Sequence, residues 1–503
     1  MASEDLMFQA ADVTTTYSQS TGHNFKVEDL PLPATFQWGT ATAAYQVEGG
    51  ASQDGKGKSI WDTFSHQSPS RTNGEHADVT CDHYNRMQDD VKLMSQLGVD
   101  IYRFSLSWSR IIPLGGRADP INEKGILFYN ALIDELLKHN IKPVVTLYHW
   151  DLPQELYNRY KGFLDTEEFR EDFKHYAKLC FSRFGDRVTK WVTFNEPYII
   201  SIFAHLNGTL APGHCREQGT DTTTEPWRVG HTIILSHASV IQMYAADFQH
   251  SQQGTISIVL NGHFYEPFDS SSRADIDAAE RRMVFYIGWF GDTIFQGQDY
   301  PQEMRDYLGQ RLPSFTAADL QLLRETAHIN AFYGMNHYST KYARQLSEPP
   351  ASDDWTSNIE EGPVNSKGEE VGPASAQQWL RVAPEGFRKL LNWVWKRYKL
   401  PVIITENGCP CIGEKDVSVA IDDTFRQRYF GLYLDAISRA ISQDGVEVEG
   451  YYAWSLMDNY EWSAGYGPRY GIVHVDFETL ERTPKGSAWY LKKTFEMRRK
   501  SVG

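Results

Sequence analysis

The sequence lacks an excess of positive charge. Its 503 residues carry 49 Lys and Arg against 65 Asp and Glu, which gives a formal net charge of −16. Nucleic-acid phosphates and anionic membrane surfaces would both repel such a chain. The composition therefore argues against nucleic-acid and membrane partners, and its 41% hydrophobic content is that of an ordinary globular protein.

Long hydrophobic runs are also missing. The first residues, M-A-S-E-D-L-M-F, carry early acidic groups and no continuous apolar region, so they do not resemble a secretory signal peptide. No run of about 18 apolar residues occurs, which predicts that the chain does not span a membrane. We therefore expect a cytoplasmic protein in which the sequon at Asn207 stays unglycosylated.

Cysteine is scarce and does not form a metal motif. The five cysteines are Cys81, Cys180, Cys215, Cys409 and Cys411. An odd number in a long chain predicts no disulfide framework. The C-P-C segment has no second C-x-C or C-x-x-C to complete a zinc site, so we expect no metal.

Apolar strand-like runs alternate with amphipathic helix-like runs along the chain. The strand-like runs begin near Phe36, Val99, Lys142, Lys190, Thr255, Ala331, Pro401 and Val448. This α/β alternation predicts a (β/α)8 TIM barrel in a single domain. An open doubly wound sheet is the alternative, but it would require G-x-G-x-x-G after an early strand, where the sequence has Q-V-E-G-G.

The domain organisation follows from composition. Residues 1–30 are polar and aperiodic and predict a flexible N-terminal arm, and residues 31–503 form one predicted barrel domain. Two long interruptions, at about 264–330 and 343–378, lie in connections between strands. The second is rich in Ser, Pro, Glu and Gly, which predicts a long loop over the C-terminal face of the barrel.

Between the third and fourth strands, Asp165 and Gly185 are the predicted ends of a helix.

Two carboxylates stand where apolar strands stop. The fourth strand, W-V-T-F, ends in Asn195-Glu196-Pro197, and the seventh, P-V-I-I-T, ends in Glu406-Asn407-Gly408. Active sites of parallel barrels form at these strand ends. Either motif alone could be a helix cap or a turn. Together, Glu196 and Glu406 match the pair of carboxylates that glycoside cleavage requires.

Polar and aromatic residues stand at the other strand ends. They are Gln46 and Glu48 after the first strand, His149 and Trp150 after the third, Asn336, His337 and Tyr338 after the sixth, and Trp454, Glu461 and Trp462 after the eighth. A single histidine is more often a buried core residue whose ring nitrogens are hydrogen bonded within the protein. At a strand end, however, it can hydrogen bond to a hydroxyl group of a substrate. Arg103 within the apolar second strand needs an acidic partner, either Glu406 or another acid in a structural ion pair.

Together these motifs resemble glycoside hydrolase family 1, and the chain after residue 30 is similar to its cytosolic fungal β-glucosidases. The matching stretches are F-Q-W-G-T-A-T-A-A-Y-Q-V-E-G-G, Y-R-F-S-L-S-W-S-R-I-I-P, L-Y-H-W-D-L-P, W-V-T-F-N-E-P, G-M-N-H-Y, I-T-E-N-G and W-S-L-M-D-N-Y-E-W. Seven motifs in family order make chance similarity a poor explanation. The seven motifs together therefore imply membership of this family, although no single motif would be enough.

The resemblance implies a role for each residue. Glu196 would be the acid/base and Glu406 the nucleophile of a retaining enzyme that needs no cofactor. The implied substrate-binding residues are Gln46, His149, Trp150, Asn195, Asn336, Tyr338, Trp454, Glu461 and Trp462, with Trp454 beneath the sugar ring. Arg103 and Tyr338 would support Glu406. The presence of Glu461 implies an unphosphorylated sugar, because a carboxylate there would repel a 6-phosphate.

The resulting hypothesis is a retaining β-glucosidase acting on cellobiose, cello-oligosaccharides and aryl or alkyl β-glucosides. Two alternatives remain open at this point. One is a broad β-glycosidase that prefers β-galactosides or β-fucosides, and the other is a non-catalytic sugar-binding relative. The expected partner is a small-molecule substrate, and the sequence leaves a homo-oligomer open.

Overall fold

Eight parallel strands close into a barrel in the computed structural model, which describes residues 26–499. They are β1 Gln37–Ala41, β2 Ile101–Ser105, β3 Lys142–Tyr148, β4 Lys190–Asn195, β5 Thr255–Asn261, β6 Tyr333–Asn336, β7 Val402–Asn407 and β8 Val448–Trp454. Each strand pairs with the next in the chain, and β8 pairs with β1 through Ala41 opposite Trp454. The predicted TIM barrel is confirmed, and every predicted strand start lies within two residues of the observed one.

Helices connect the strands and cover the outside of the barrel. The α-helices are Ala44–Val47, Ile60–Ser65, His83–Gln96, Trp108–Ile111, Glu123–Lys138, Gln154–Tyr160, Thr166–Phe184, Pro197–Ile199, Glu225–Asp247, Gln249–Gln252, Arg273–Met283, Trp289–Phe295, Gln302–Leu308, Ala317–Thr326, Pro384–Tyr398, Val417–Ile421, Thr424–Ser442 and Gly486–Arg498. Short 3-10 or π segments are Gln53–Gly55, Gly162–Leu164, Ile200–Ala204, Arg216–Gln218, Val284–Gly288, Gly309–Arg311, Ala327–Ile329 and Trp462–Ala464. None of the helices within residues 26–499 is both long and apolar enough to cross a membrane.

The helix predicted between β3 and β4 forms as Thr166–Phe184. The Asp165 carboxylate accepts a hydrogen bond from the backbone N–H of Glu168, which satisfies one free donor of the first turn. Gly185 follows the last helical residue, as expected. The apolar residues at helical spacing, Phe169, Phe173, Tyr176, Cys180 and Phe184, are all buried against the barrel.

The segment 343–378 is more regular than its composition predicts. Strand Thr340–Gln345 pairs in parallel with Phe264–Pro267 and antiparallel with Ile359–Gly362, so part of the expected loop is a three-stranded sheet. Glu361 anchors this sheet through an ion pair with Lys341 at 2.8 Å. The prediction of a loop was wrong for these residues because the pairing partners lie far apart in the sequence. The other interruption, 264–330, is largely helical.

The two ends of the described chain lie side by side. The backbone N–H groups of Glu28 and Leu30 donate to the Asp435 carboxylate, at 2.6 and 3.0 Å. Arg498 also binds Asp435, at 2.9 Å. Residues 28–30 therefore contact the barrel domain, and residues 1–25 of the predicted arm lie outside the described residues.

Candidate active site

A cavity of about 500 Å³ opens at the carboxyl ends of the barrel strands. Nine of the residues singled out in the sequence line it: His149, Trp150, Glu196, Asn336, Tyr338, Glu406, Trp454, Glu461 and Trp462. Gln46, Arg103 and Asn195 lie behind this lining and hydrogen bond within the same strand-end cluster. A second cavity of about 440 Å³, beside Pro384–Tyr398, contains none of these residues.

Glu406 is held by two donors. It lies on β7 and is 3% exposed. Arg103 Nη1 lies 2.7 Å from its Oε1 atom, and the Tyr338 hydroxyl donates to Oε2 from 2.8 Å. Both contacts favour the ionised carboxylate, and an ion pair with a buried arginine fixes its position.

Glu196 sits directly after β4 in the left-handed backbone region, with φ 53° and ψ 64°. Such a conformation is uncommon for residues other than glycine and turns the chain sharply at the strand end. The side chain is 6% exposed and accepts one hydrogen bond, from Asn336 Nδ2 at 2.6 Å. Unlike Glu406, it has no cation within direct hydrogen-bond distance among the described residues.

The surroundings of Glu196 and Glu406 favour different protonation states for their two carboxyl groups. Burial, and next the negative charge of Glu406, raise the pKa of Glu196 to about 8. Burial also raises the pKa of Glu406, but Arg103 and the Tyr338 hydroxyl oppose that rise. Because the stronger set of donors serves Glu406, the proton shared by this pair resides on Glu196 near neutral pH.

A chain of hydrogen bonds fixes the orientation of His149. Arg103 Nη2 donates to Asn195 Oδ1 from 2.6 Å, so the amide nitrogen of Asn195 must point the other way. That nitrogen lies 3.0 Å from His149 Nε2, which therefore accepts and leaves the proton on Nδ1. Burial, with Arg103 as the second cause, holds the pKa of His149 well below its usual value, so the ring is neutral.

Four buried polar atoms in or behind the pocket lining have no hydrogen-bond partner among the described residues. They are Asn261 Oδ1 and three atoms of residues singled out in the sequence, Gln46 Oε1, His149 Nδ1 and Glu461 Oε1. Gln46 is held by its nitrogen, which donates to Asn459 Oδ1 and the Tyr460 carbonyl, each at 2.9 Å. Burial, followed by the charge of Glu406, raises the pKa of Glu461 to about 8. The pocket thus offers amide oxygens, an imidazole N–H and a carboxyl group to a polar ligand.

Aromatic rings form one wall of the pocket. The Trp454 and Trp462 rings each lie 5.9 Å from the His149 ring, nearly parallel to it. Trp150 packs on Trp462 with centroids 4.5 Å apart, and its indole N–H donates to the Asn195 carbonyl. This wall combines flat apolar faces with the polar atoms above, which suits the apolar C–H faces and hydroxyls of a sugar.

The outer cavity is lined by residues that the sequence did not single out. They include Ile199, Phe203, Leu210, His263, Tyr286, Gln377, Trp379 and Tyr470. All come from connections outside the barrel strands, where no strand-end rule applies. The aromatic residues in these connections were the only signal in the sequence that could have identified this lining. That signal is weak, because aromatic residues usually lie in the core.

Comparisons with known proteins give matches over nearly the whole chain. The model of glycosyl hydrolase family 1 matches residues 29–500. "Beta-glucosidase 1B" of Phanerodontia chrysosporium is 46% identical over 470 residues, which are 92% of this chain and 85% of that protein. A family 1 β-glucosidase of Humicola insolens, solved with glucose, is 44% identical with a TM-score of 0.90 and covers 93% of this chain and 99% of its own. β-Glucosidase 2 of Trichoderma reesei, solved with Tris, is 45% identical with a TM-score of 0.89 and the same coverage.

Proposed function

The chain belongs to glycosyl hydrolase family 1, and we propose that it hydrolyses terminal non-reducing β-D-glucosyl residues by double displacement. Its β-glucosidase activity follows from the named enzymes that it matches over nearly its whole length. The finer assignment rests on one observation: two buried carboxyls share a cavity, but only Glu406 is paired with an arginine. A glycosidase with two carboxyl groups needs this inequality, because one must be ionised while the other donates a proton, and the configuration is retained when the ionised group attacks the sugar directly.

In the first step, an oxygen of Glu406 bonds to the anomeric carbon of the sugar. The bond from that carbon to the leaving oxygen breaks, and Glu196 transfers its proton to the leaving oxygen. The products are a glucosyl ester of Glu406 and the free alcohol. The raised pKa of Glu196 supports its role as the acid, since the group keeps its proton near neutral pH.

In the second step, esterification has removed the negative charge of Glu406. That charge is the second largest cause of the raised pKa of Glu196, so the pKa falls and Glu196 becomes a base. It takes a proton from water, the water oxygen attacks the anomeric carbon, and the ester bond breaks. Two inversions at one carbon give net retention of the β configuration.

We assign sugar recognition to the polar atoms that lack partners. Gln46 Oε1 and Glu461 Oε1 would accept from sugar hydroxyls, and His149 Nδ1–H would donate to one. Trp454 would stack beneath the ring, and Asn195 would hold the 2-hydroxyl as positive charge develops at the anomeric carbon. The Glu461 carboxyl supports a neutral sugar over a 6-phosphorylated one, because its ionised form would repel a phosphate and its raised pKa means that this position disfavours added negative charge.

The outer cavity supports an extended leaving group. The whole cavity has a volume of about 500 Å³, and its aromatic rim lies where the second glucose of cellobiose, a longer cello-oligosaccharide or an aryl group would bind. A preference for β-galactosides or β-fucosides is the second candidate, since Gln46 and Glu461 can accept from either orientation of a 4-hydroxyl. The five cysteines carry free thiols, which supports a reducing compartment such as the cytoplasm.

The decisive experiment is to follow hydrolysis of an aryl β-glucoside by proton NMR with the purified full chain and no added cofactor. We expect β-glucose to appear first and α-glucose to follow by mutarotation. Early α-glucose would contradict double displacement. Glu196→Gln and Glu406→Gln serve as matched controls, because loss of activity in both excludes a contaminating glycosidase. A panel of aryl β-galactosides, β-fucosides and cello-oligosaccharides then separates the two specificity candidates.

A further inference from the structure

Three side chains that no proposed catalytic role uses converge on the connection between β1 and β2. His66 ends the helix Ile60–Ser65, and His76 and Asp78 lie on the segment that follows it. Asp78 Oδ2 lies 3.2 Å from His66 Nε2 and 3.4 Å from His76 Nδ1. All three atoms lie within 4.8 Å of one another, and none of the three residues lines the substrate cavity.

The hydrogen bonds of His66 leave its Nε2 atom facing a carboxylate. Its Nδ1 atom lies 2.7 Å from the Asp62 carbonyl, which can only accept, so Nδ1 carries the proton. In the neutral ring Nε2 is then a bare acceptor, and it faces the carboxylate of Asp78. Two acceptors 3.2 Å apart repel each other unless a proton or a metal ion lies between them. A metal-binding histidine characteristically donates its other N–H to a backbone carbonyl, as His66 does.

Two of the three spacings match those around a tetrahedral ion. Zinc bonds to histidine nitrogen and carboxylate oxygen at about 2.0–2.1 Å, so neighbouring ligand atoms around it lie about 3.3–3.4 Å apart. The two distances to Asp78 Oδ2 are 3.2 and 3.4 Å. The rings of His66 and His76 stack with centroids 4.5 Å apart, so one of these exposed rings must rotate before both nitrogens can bind an ion in their ring planes.

We propose that His66, His76 and Asp78 form a binding site for a divalent transition metal such as zinc. His66 Nε2, His76 Nδ1 and Asp78 Oδ2 supply three ligands, and water fills the remaining position because each side chain is more than a third exposed. The sequence shows no zinc motif here, since nine residues lie between the two histidines and only the fold brings them together. This site takes no part in the bond cleavage proposed above.

A bound metal would hold the segment 66–78 in place against the end of the barrel that carries Glu461. The Tyr466 hydroxyl donates to the His76 carbonyl from 2.9 Å, and the Glu75 carboxylate accepts from the Tyr466 N–H at 2.8 Å. The Tyr460 hydroxyl donates to the Glu75 carbonyl from 3.3 Å. A bound ion therefore stabilises residues 66–78 against the loop 460–466, and we expect it to raise the melting temperature.

The test is calorimetric titration of zinc chloride into the chelator-treated full-length protein at pH 8, where imidazole is mostly neutral. We expect one site per chain. His66→Ala and Asp78→Asn should weaken binding by at least about tenfold, the smallest loss expected from perturbing a metal site. His139→Ala is the matched control, because His139 also lies 3.2 Å from a carboxylate, that of Glu135, but has no third ligand within residues 26–499. It should bind zinc as tightly as the wild type.

Cobalt gives a second, independent readout. Replacing zinc with Co²⁺ should produce visible absorption typical of a tetrahedral site, and His76→Ala should abolish it. Activity on an aryl β-glucoside verifies that each variant is folded, since none of these residues lines the cavity. Equal zinc affinity in the wild type and His66→Ala would overturn the proposal. So would the absence of binding at pH 8, which would leave a protonated histidine paired with Asp78 as the explanation of the geometry.

Discussion

Asn336 donates a hydrogen bond to Glu196 from 2.6 Å, and this contact favours the ionised form of the carboxyl. Burial and the charge of Glu406 outweigh it and raise the pKa of Glu196 to about 8. The proposed acid must be protonated in the free enzyme, so kcat/KM should fall as pH rises through about 8. Asn336→Ala removes a contact that lowers this pKa and should move the alkaline limb to higher pH. A pH profile of kcat/KM measures both, and an alkaline limb that stays in place would contradict the assignment.

Removing the acid should affect substrates unequally. With Glu196→Ala, a poor leaving group should lose about 10²–10⁴-fold in rate, because it departs only with a proton. Dinitrophenolate needs little protonation, so its release should be only mildly slowed. The glucosyl-enzyme should then accumulate, and added azide should give β-glucosyl azide, identified by NMR. Formation of α-glucosyl azide would reverse the assignments of Glu196 and Glu406.

Removing the nucleophile should abolish hydrolysis but not binding. Glu406→Gly should lose on the order of 10⁴–10⁶ in kcat, as loss of a nucleophile does in other enzymes. Supplied with α-glucosyl fluoride, whose configuration mimics the intermediate, the variant should transfer glucose to an acceptor sugar with Glu196 as the base. The same reaction with the Glu196→Ala/Glu406→Gly double variant is the control, and transfer by that variant would exclude Glu196 as the base.

The ion pair between Arg103 and Glu406 should matter for stability as well as catalysis. Arg103→Met leaves a buried carboxylate without its cation, which typically costs about 3–5 kcal/mol. Arg103→Met/Glu406→Gln removes the charge from both partners and should recover part of this loss. Thermal unfolding of the two variants gives the comparison. An equally low melting temperature in the double variant would point to packing around Arg103, not charge, as the cause.

Trp379 should contribute to binding of the leaving group. It lines the cavity, is 45% exposed, and lies 6.3 Å from the Tyr338 ring. Stacking of this kind contributes about 0.5–1.5 kcal/mol, so Trp379→Ala should lower kcat/KM for cello-oligosaccharides by about 2- to 10-fold. β-Glucosyl fluoride, which has almost no leaving group to contact, should be unaffected. Trp489→Ala, at a similarly exposed tryptophan on the helix Gly486–Arg498, is the control.

The sequence predicts those elements that show a regular spacing of apolar residues or that end at a clear change from apolar to polar residues. Each barrel strand is an apolar run, and all strands of a parallel barrel point the same way. The carboxyl end of each strand can therefore be located from the sequence alone, and Glu196 and Glu406 stand at two of these ends. The pairing of Arg103 with an acid follows from the cost of burying a lone guanidinium in an apolar strand. These inferences need only local sequence and one rule of topology.

The remainder depends on contacts between distant segments. Tyr286 and Trp379 reach the cavity from separate connections, and their positions depend on how those connections pack. The strand Ile359–Gly362 forms because a partner strand lies opposite it, although its own residues, I-E-E-G, are poor strand formers. Composition could not reveal either feature.

Three unpaired polar atoms of the pocket, on Gln46, His149 and Glu461, have a consequence beyond recognition. A sugar that hydrogen bonds to all three recognises only the folded chain, because only the fold brings them into one cavity. A ligand that binds only the folded form shifts the unfolding equilibrium in its favour. The sugar-bound enzyme should therefore be the more stable form, and its melting temperature should rise with the concentration of sugar.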